Sequence, residues 1–441
     1  MKTQTIYRST LLGALLLTAT AHAQNAAPPQ LPAVVADADA AKRAVDNLTN
    51  SELFQGFTAA SNELTPLLIN DNPASKLVQI KKFDFSTETK KKLLPLYGSD
   101  HPLHFKTRIF KDGQAEISYV LDALNHRDPK SRVTTQISAL TGKSVYRKHN
   151  TQYGGTASLP SIHVDVENEV QFYAHDITYT ENQTRKDPGL WFGRAEFKLG
   201  HLSVDVVKKD IHLKVDDTVI KTDVKKRGTL VDVEVDSVTQ SINWGGDQLG
   251  PVHSAYRFSN IDGKALASFG ESQKRIAQSK MPADATAATT LRMFRTLGIA
   301  TLKSGGALDI QDVSVQYHGM TAGLDGRVGF DHVQDADWDA PMSLLPKLNL
   351  HINFHAPKDL LMEISRRVVR SKLAAEAAPG STVSDPMVED AALEVTNKLL
   401  ELPLKLKWLR LEHGTLLSTL DFIGGNLTVN GEPFRPPTAN R

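Results

Sequence analysis

The sequence predicts an α+β protein that is mainly β: a large, mostly antiparallel sheet or sheets, flat or curled, with inserted amphipathic helix pairs. Three observations predict it. Apolar residues recur at every second position over long spans, as in "HLSVDVVKKDIHLKVDDTVIKTDVKKRGTLVDVEVD" (201–236), the signature of strands with one apolar and one polar face. Turn signals such as Asp112-Gly113, Asp216-Asp217 and Lys226-Arg227-Gly228 separate the alternating runs. Two stretches, 262–302 and 357–401, switch to helical spacing between strand blocks.

The chain opens with the three parts of a secretory signal peptide, residues 1–23. Lys2 and Arg8 form a basic region, Leu11 to Ala19 an apolar run, and Ala21-His22-Ala23 a small-x-small motif. Cleavage is expected between Ala23 and Gln24. The apolar run falls short of the roughly 20 residues of a membrane span, and no later segment is long and apolar enough to be one. Retention of this segment as an N-terminal anchor is the alternative. Removing Lys2 and Arg8 leaves 49 basic against 50 acidic residues, so the formal charge goes from +1 to −1. That balance excludes the basic footprint of a nucleic-acid binder. There is no Cys, hence no disulfide, thiolate nucleophile or Cys-ligated metal. An exported, disulfide-free chain predicts a periplasmic location.

Residues 24–36 are Ala/Pro-rich and read as a flexible leader. Residues 37–160 read as an N-terminal helix plus a β region. The helix runs to about residue 69, with Leu53, Phe54 and Phe57 at helical spacing and Pro66 ending or kinking it. Period 2 is expected from Lys76 onward, beginning with Leu77, Ile80, Phe83 and Phe85. "LHFKTRIFKDGQAEISYVLD" is the clearest hairpin. Residues 161–434 read as a β-rich domain with the two helical insertions. Leu266, Phe269, Gln273 and Ile276 share a face in the first, as do Leu291, Phe294, Leu297 and Ala300 beyond Pro282. In the second, Leu360, Leu361, Ile364, Val368 and Leu373 form the apolar stripe, with Arg366, Arg367 and Arg370 opposite. Strands are expected at 307–317, 323–332, 346–357, 402–411 and 415–423. Residues 435–441 read as a loose tail.

Three stretches carry a family resemblance: "SNIDGKALASFGESQKRIAQ" (259–278), "LKSGGALDIQDVSVQYHGMTAGLDGRVGF" (302–330) and "DFIGGNLTVNGEPF" (421–434). Their order resembles the YdgA-like family of bacterial envelope proteins, a domain of unknown function. The resemblance covers roughly 160–434 and implies an exported Gram-negative envelope protein, with no reaction and no catalytic residue to carry over. The chain departs from the family's longer N-terminal apolar segment. It also lacks a His-Gly-Pro element, for which "NHRDP" (125–129) is the nearest text.

No nucleophile elbow, phosphate-binding loop, dinucleotide turn, zinc-protease helix or calcium loop is present. The reading therefore assigns no catalytic, cofactor-binding or metal residue and expects a non-enzyme. His351 and His355 lie four apart on one strand face, the start of a metal site or simply a wet face. His175-Asp176 and His163-x-Asp165 offer half of an acid/base pair or, again, solvent-facing strand residues. Asp216-Asp217 and Glu167 with Glu169 single out no carboxylate pair. The basic clusters at 90–92 and 225–227 fit anionic lipid, solvated turns or guarded strand edges.

The apolar strand faces are the most informative feature. Burial is worth about 1.5–3 kcal/mol per large side chain, so something must cover them. The expectation is a binding or assembly factor for an amphipathic client, either lipid or an outer-membrane polypeptide. A hydrolase of an envelope polymer and a purely structural periplasmic scaffold are the alternatives.

Overall fold

A computed structural model describes residues 49–68, 73–111, 114–147, 151–167, 169–187, 189–207, 211–278, 283–338, 341–376 and 384–434. The expected signal peptide with its Ala23–Gln24 junction, the expected leader, the first part of the expected N-terminal helix, the Asp112-Gly113 turn signal and the expected tail lie outside these residues. The described chain is mainly β and mostly antiparallel. It divides into two compact units: Met1–Thr229 with Gln240–Asp247 and Gly263–Leu297, and Leu230–Thr239 with Gln248–Asp262 and Gly298–Arg441. Position 160, where the sequence reading divides the chain, lies inside a strand, Gln152–Val166.

The first unit begins with α1 (Glu52–Leu68), α2 (Pro73–Lys82) and α3 (Thr87–Tyr97). The helix α1 continues past Pro66. Period 2 does not begin at Lys76, as the sequence reading expects: Leu77 and Ile80 are three apart and face inward from α2. Ser86 caps α3 by accepting the Thr89 N–H, and Gly98 closes it in the left-handed region at φ 66°. The 90–92 basic cluster therefore sits on a helix, where Lys90 pairs with Asp84 and Lys92 with Glu88. Leu53, Phe57, Ala60, Leu93 and Leu96 form one core with Phe85 and Leu124. Gly56 lets the two helices meet, since a Cβ there would lie 2.5 Å from Leu96 Cδ1.

Nine strands follow: β1 (Leu103–Ile109), β2 (Ala115–Leu121), β3 (Leu124–Asp128), β4 (Val133–Ile137), β5 (Leu140–Arg147), β6 (Gln152–Val166), β7 (Val170–Asp187), β8 (Leu190–Val206) and β9 (Ile211–Arg227). The ladder runs β1–β2–β5–β6–β7–β8–β9, with β3–β4 joining β6. The sheet here is uncurled, which corrects the curled alternative. Strands of 15, 18, 17 and 17 residues pair side by side with their ends nearly aligned. Val166 opposes Val170, Asp187 opposes Leu190 and Val206 opposes Ile211, and rolling a sheet requires progressive stagger instead.

A line of kinks crosses these four strands. Pro160, Asp176, Gly200 and Asp217 fall opposite one another where the pairing skips. Asp176 and Asp217 have φ of 55° and 51°. A Cβ on Gly200 would lie 2.8 Å from Asp176 Cβ, so this position favours glycine. At the kink the inward side chains step by three: Leu159 and Ile162, Ala174 and Ile177, Leu199 and Leu202 all pack in one cluster.

β10 (Leu230–Trp244) and β11 (Asp247–Asp262) contribute residues to both units. The helix α4 (Gly263–Gln278) and most of α5 (Ala283–Lys303) belong to the first, where the Phe269 and Phe294 rings meet at 4.9 Å.

The second unit pairs β11, β12 (Ala307–Tyr317), β13 (Met320–Phe330), β14 (Leu348–Pro357), β16 (Thr415–Ile423) and β17 (Asn426–Val429) in that order. The short strands β15 (Arg410–Glu412) and β18 (Glu432–Pro433) pair with β16 and β17. Tight turns at His318-Gly319, Gly424-Gly425 and Asn430-Gly431 have positive φ at both residues, the geometry that follows strand twist. The sheet of this unit is likewise uncurled.

Between β14 and β15 lie α6 (Lys358–Glu376) and α7 (Asp385–Lys405). Two expectations are corrected here. The apolar stripe of α6 is shifted: Leu360, Ser365 and Val369 are buried, while Ile364 and Val368 are exposed. α7 presents Val388, Ala392, Thr396 and Leu400 to its partner at a four-residue step, so the helix pair chooses the face with small and hydroxylated residues. The 402–411 segment is helical to Lys405, and only Arg410–Glu412 is strand.

Candidate functional site

Each unit carries a two-faced sheet, and the candidate site is those faces. In the second unit, register aligns apolar side chains into rows. One row is Phe258, Leu308, Val328, Leu350, Phe422 and Leu427; the next runs Tyr256, Ile310, Gly326, Ile352, Leu420 and Val429. Most of these side chains are half-buried, and Phe354 is exposed. In the first unit, burial is complete at Ala174 and Ile177 but only partial at Leu202, Val204, Ile211, Leu213 and Val215.

The opposite face of the second unit is polar, and its charges satisfy one another. Arg257, Asp309, Arg327, His351 and Asp421 stand in successive register positions across five strands. Arg257 donates to Asp232 at 2.7 Å, Arg327 to Asp309 at 2.9 Å, and His351 Nδ1 to Asp421 at 2.6 Å. Asp232 is buried and also accepts the Asn260 N–H. His253 sits between Asp236 at 3.0 Å and Asp312 at 2.7 Å, and these two carboxylates raise its pKa above the ordinary imidazole value.

The polar face of the first unit gathers a row of rings. His163 lies 6.2 Å from Tyr173; Tyr173 lies 5.4 Å from His175 and 6.1 Å from His201, and His175 and His201 stack at 5.2 Å. His201 Nδ1 binds Asp216 at 2.5 Å, and the Ser241 hydroxyl donates to the same carboxylate at 2.9 Å. The His201 contact holds the Asp216 carboxyl below the usual carboxylate range; burial opposes this and the Ser241 bond assists.

Of the residues singled out from sequence, the structure brings together His163, His175 and Asp216, which stood as separate candidates. Ring contacts join Tyr173 and His201 to them, and Ser241 joins through its bond to Asp216. His351 bonds Asp421 and also lies 3.1 Å from Asn353. Among the described residues no three His, Cys or carboxylate side chains converge as a metal site. The Arg366 guanidinium is held by Glu389 and Glu363, and Arg370 by Asp385, so this basic face is internally paired. Sequence reasoning missed Lys76, which is buried and donates to the Tyr146 hydroxyl at 3.2 Å. It also missed His201, His253 and Tyr173. Their one signal was a ring on the polar side of an alternating strand.

The architecture defines a mainly β protein whose long antiparallel strands separate a self-paired polar face from an apolar one. Among the described residues no helix is long and apolar enough to cross a membrane. The chain belongs to a family of bacterial proteins of unknown function, DUF945, whose model matches residues 66–437. No curated protein and no solved structure matches the chain.

Proposed function

We propose that this protein is an exported envelope factor that binds an amphipathic client, a lipid or an outer-membrane polypeptide, on its apolar sheet faces. The carrying observation is the second unit's double row from β11 to β17. Large apolar side chains there are half-buried, while the charges on the reverse face are matched within the sheet. Apolar area left partly in water is the feature that draws an apolar partner. The paired reverse face gives no comparable pull, since exposed ion pairs are worth about 0–1 kcal/mol.

The export reading rests on the signal-peptide pattern ending at Ala23–Gln24 and on the chain's resemblance to the YdgA-like group. The pairs α4–α5 and α6–α7 read as insertions that cover part of the strand faces. The chemistry required of this reading is adsorption and release, with no bond made or broken.

The test begins with the full chain purified from its native compartment. Solvent extraction and mass spectrometry are expected to recover acyl lipid, and a fluorescent fatty acid is expected to bind. Replacing Leu350 and Ile352 together with glutamate is expected to weaken the probe at least tenfold. Neither lipid nor probe binding sinks the lipid branch. Crosslinking to an unfolded outer-membrane polypeptide then decides between the polypeptide branch and a structural scaffold.

A further inference from the structure

The ring row on the polar face is not used by the reading above. His175 on β7 and His201 on β8 are directly opposed across the ladder. Their ring centroids are 5.2 Å apart and their planes differ by 24°. Each Nδ1 is held by a carboxylate: His175 by Asp176 at 2.8 Å and His201 by Asp216 at 2.5 Å. Ser241 in turn donates to Asp216 at 2.9 Å.

An ionised carboxylate only accepts hydrogen bonds, so each neutral ring keeps its proton on Nδ1. Both Nε2 atoms then carry lone pairs. A carboxylate on the far nitrogen, itself anchored by another group, is how metal-binding imidazoles are oriented and made more basic. The pair remains accessible, with His175 at 35 % and His201 at 22 % side-chain exposure. The kink line contributes to this. Asp176 lies directly after His175, and its left-handed backbone accompanies a side chain that reaches the His175 ring.

We propose that His175 and His201 form a two-imidazole site for a late first-row divalent cation, best filled by copper(II), with water at the remaining positions. Imidazole suits copper and zinc, and copper(II) stands highest in the affinity order for nitrogen ligands. A metal about 2.0–2.1 Å from each nitrogen requires the two ring edges to tilt together. Directly opposed on neighbouring strands, the two rings lie within reach of one ion. With two protein ligands the ion is labile, a bound passenger and not a structural element.

The test uses the full chain without an affinity tag and copper(II) chloride as the probe. Calorimetry is expected to show one dominant site, and electron paramagnetic resonance two nitrogen donors. His175→Ala and His201→Ala are each expected to weaken copper at least tenfold. Asp216→Asn is expected to weaken it less, and His351→Ala, a single imidazole on a carboxylate elsewhere, to leave it unchanged. On the unmutated chain, copper is expected to protect His175 and His201 from carbethoxylation, read by mass spectrometry. Fewer than two nitrogen donors, absent protection at these two residues, or unchanged affinity in the folded alanine variants overturns the proposal.

Discussion

The Asp128 carboxylate accepts the backbone N–H groups of Glu52, Lys130 and Ser131, at 3.1, 2.9 and 3.3 Å. It thereby caps the start of α1 from the end of β3 and tightens the turn that follows. Burial works against its charge, yet the bonds from Ser131, Glu52 and Lys130 outweigh it and hold the carboxyl below the usual range. A depressed folded value contributes stability above the unfolded carboxylate pKa, near 3.9, and loses it as pH falls through the folded value. Asp128→Asn is expected to cost about 1–3 kcal/mol near neutral pH. In denaturant melts the deficit is expected to shrink as pH drops below about 4; a pH-independent deficit sinks this account. Asp128 stands in "NHRDP", which the sequence singles out only as the nearest text to a His-Gly-Pro element; its partner Glu52 is 76 residues away. The ring row is illegible for the same reason. His163, Tyr173, His175, His201 and Asp216 lie on four strands and meet only through register.

The strands were readable as strands because alternation recurs through β6 to β9, but their length was not: Asp216-Asp217, which the sequence offers as a turn between two runs, lies inside β9 and only kinks it. Short apolar runs misled. Leu77 and Ile80 sit at a spacing that suits α2, and Leu402, Leu404 and Leu406 alternate although α7 runs to Lys405. In α6 the bulkiest stripe suggested the inner face, whereas close helix approach selected Ser365 and Val369 facing Val388, Ala392 and Thr396. The Thr396 hydroxyl donates to Ser365 Oγ at 2.9 Å, both side chains being almost wholly buried. Thr396→Val is expected to cost about 1–3 kcal/mol by stranding the Ser365 hydroxyl. Adding Ser365→Ala is expected to recover part of that loss, because both polar partners are then gone. Strictly additive costs in a double-mutant cycle of denaturation midpoints would argue against the bond.

For the molecule as a whole, export and cleavage after Ala23 predict a mature chain of 441 − 23 = 418 residues beginning at Gln24. Intact-mass measurement on periplasmic extract checks this, and a full-length mass in the membrane fraction would favour the anchor. Each unit must hold itself together by packing and backbone pairing, since the chain has no Cys. The sheet faces were legible as faces, but not the degree to which each is covered. Alternation records which side chains share a side and carries no information on what lies over them.

The line through Pro160, Asp176, Gly200 and Asp217 bears on how such genes can change length. Four neighbouring strands share one frame there, and each resumes its alternation three residues on. Loss of a single codon within any one of them would turn its far half inside out relative to its neighbours. Descendants of this chain are therefore expected to lengthen or shorten by whole hairpins or at turns, with the column of kinks inherited as a unit.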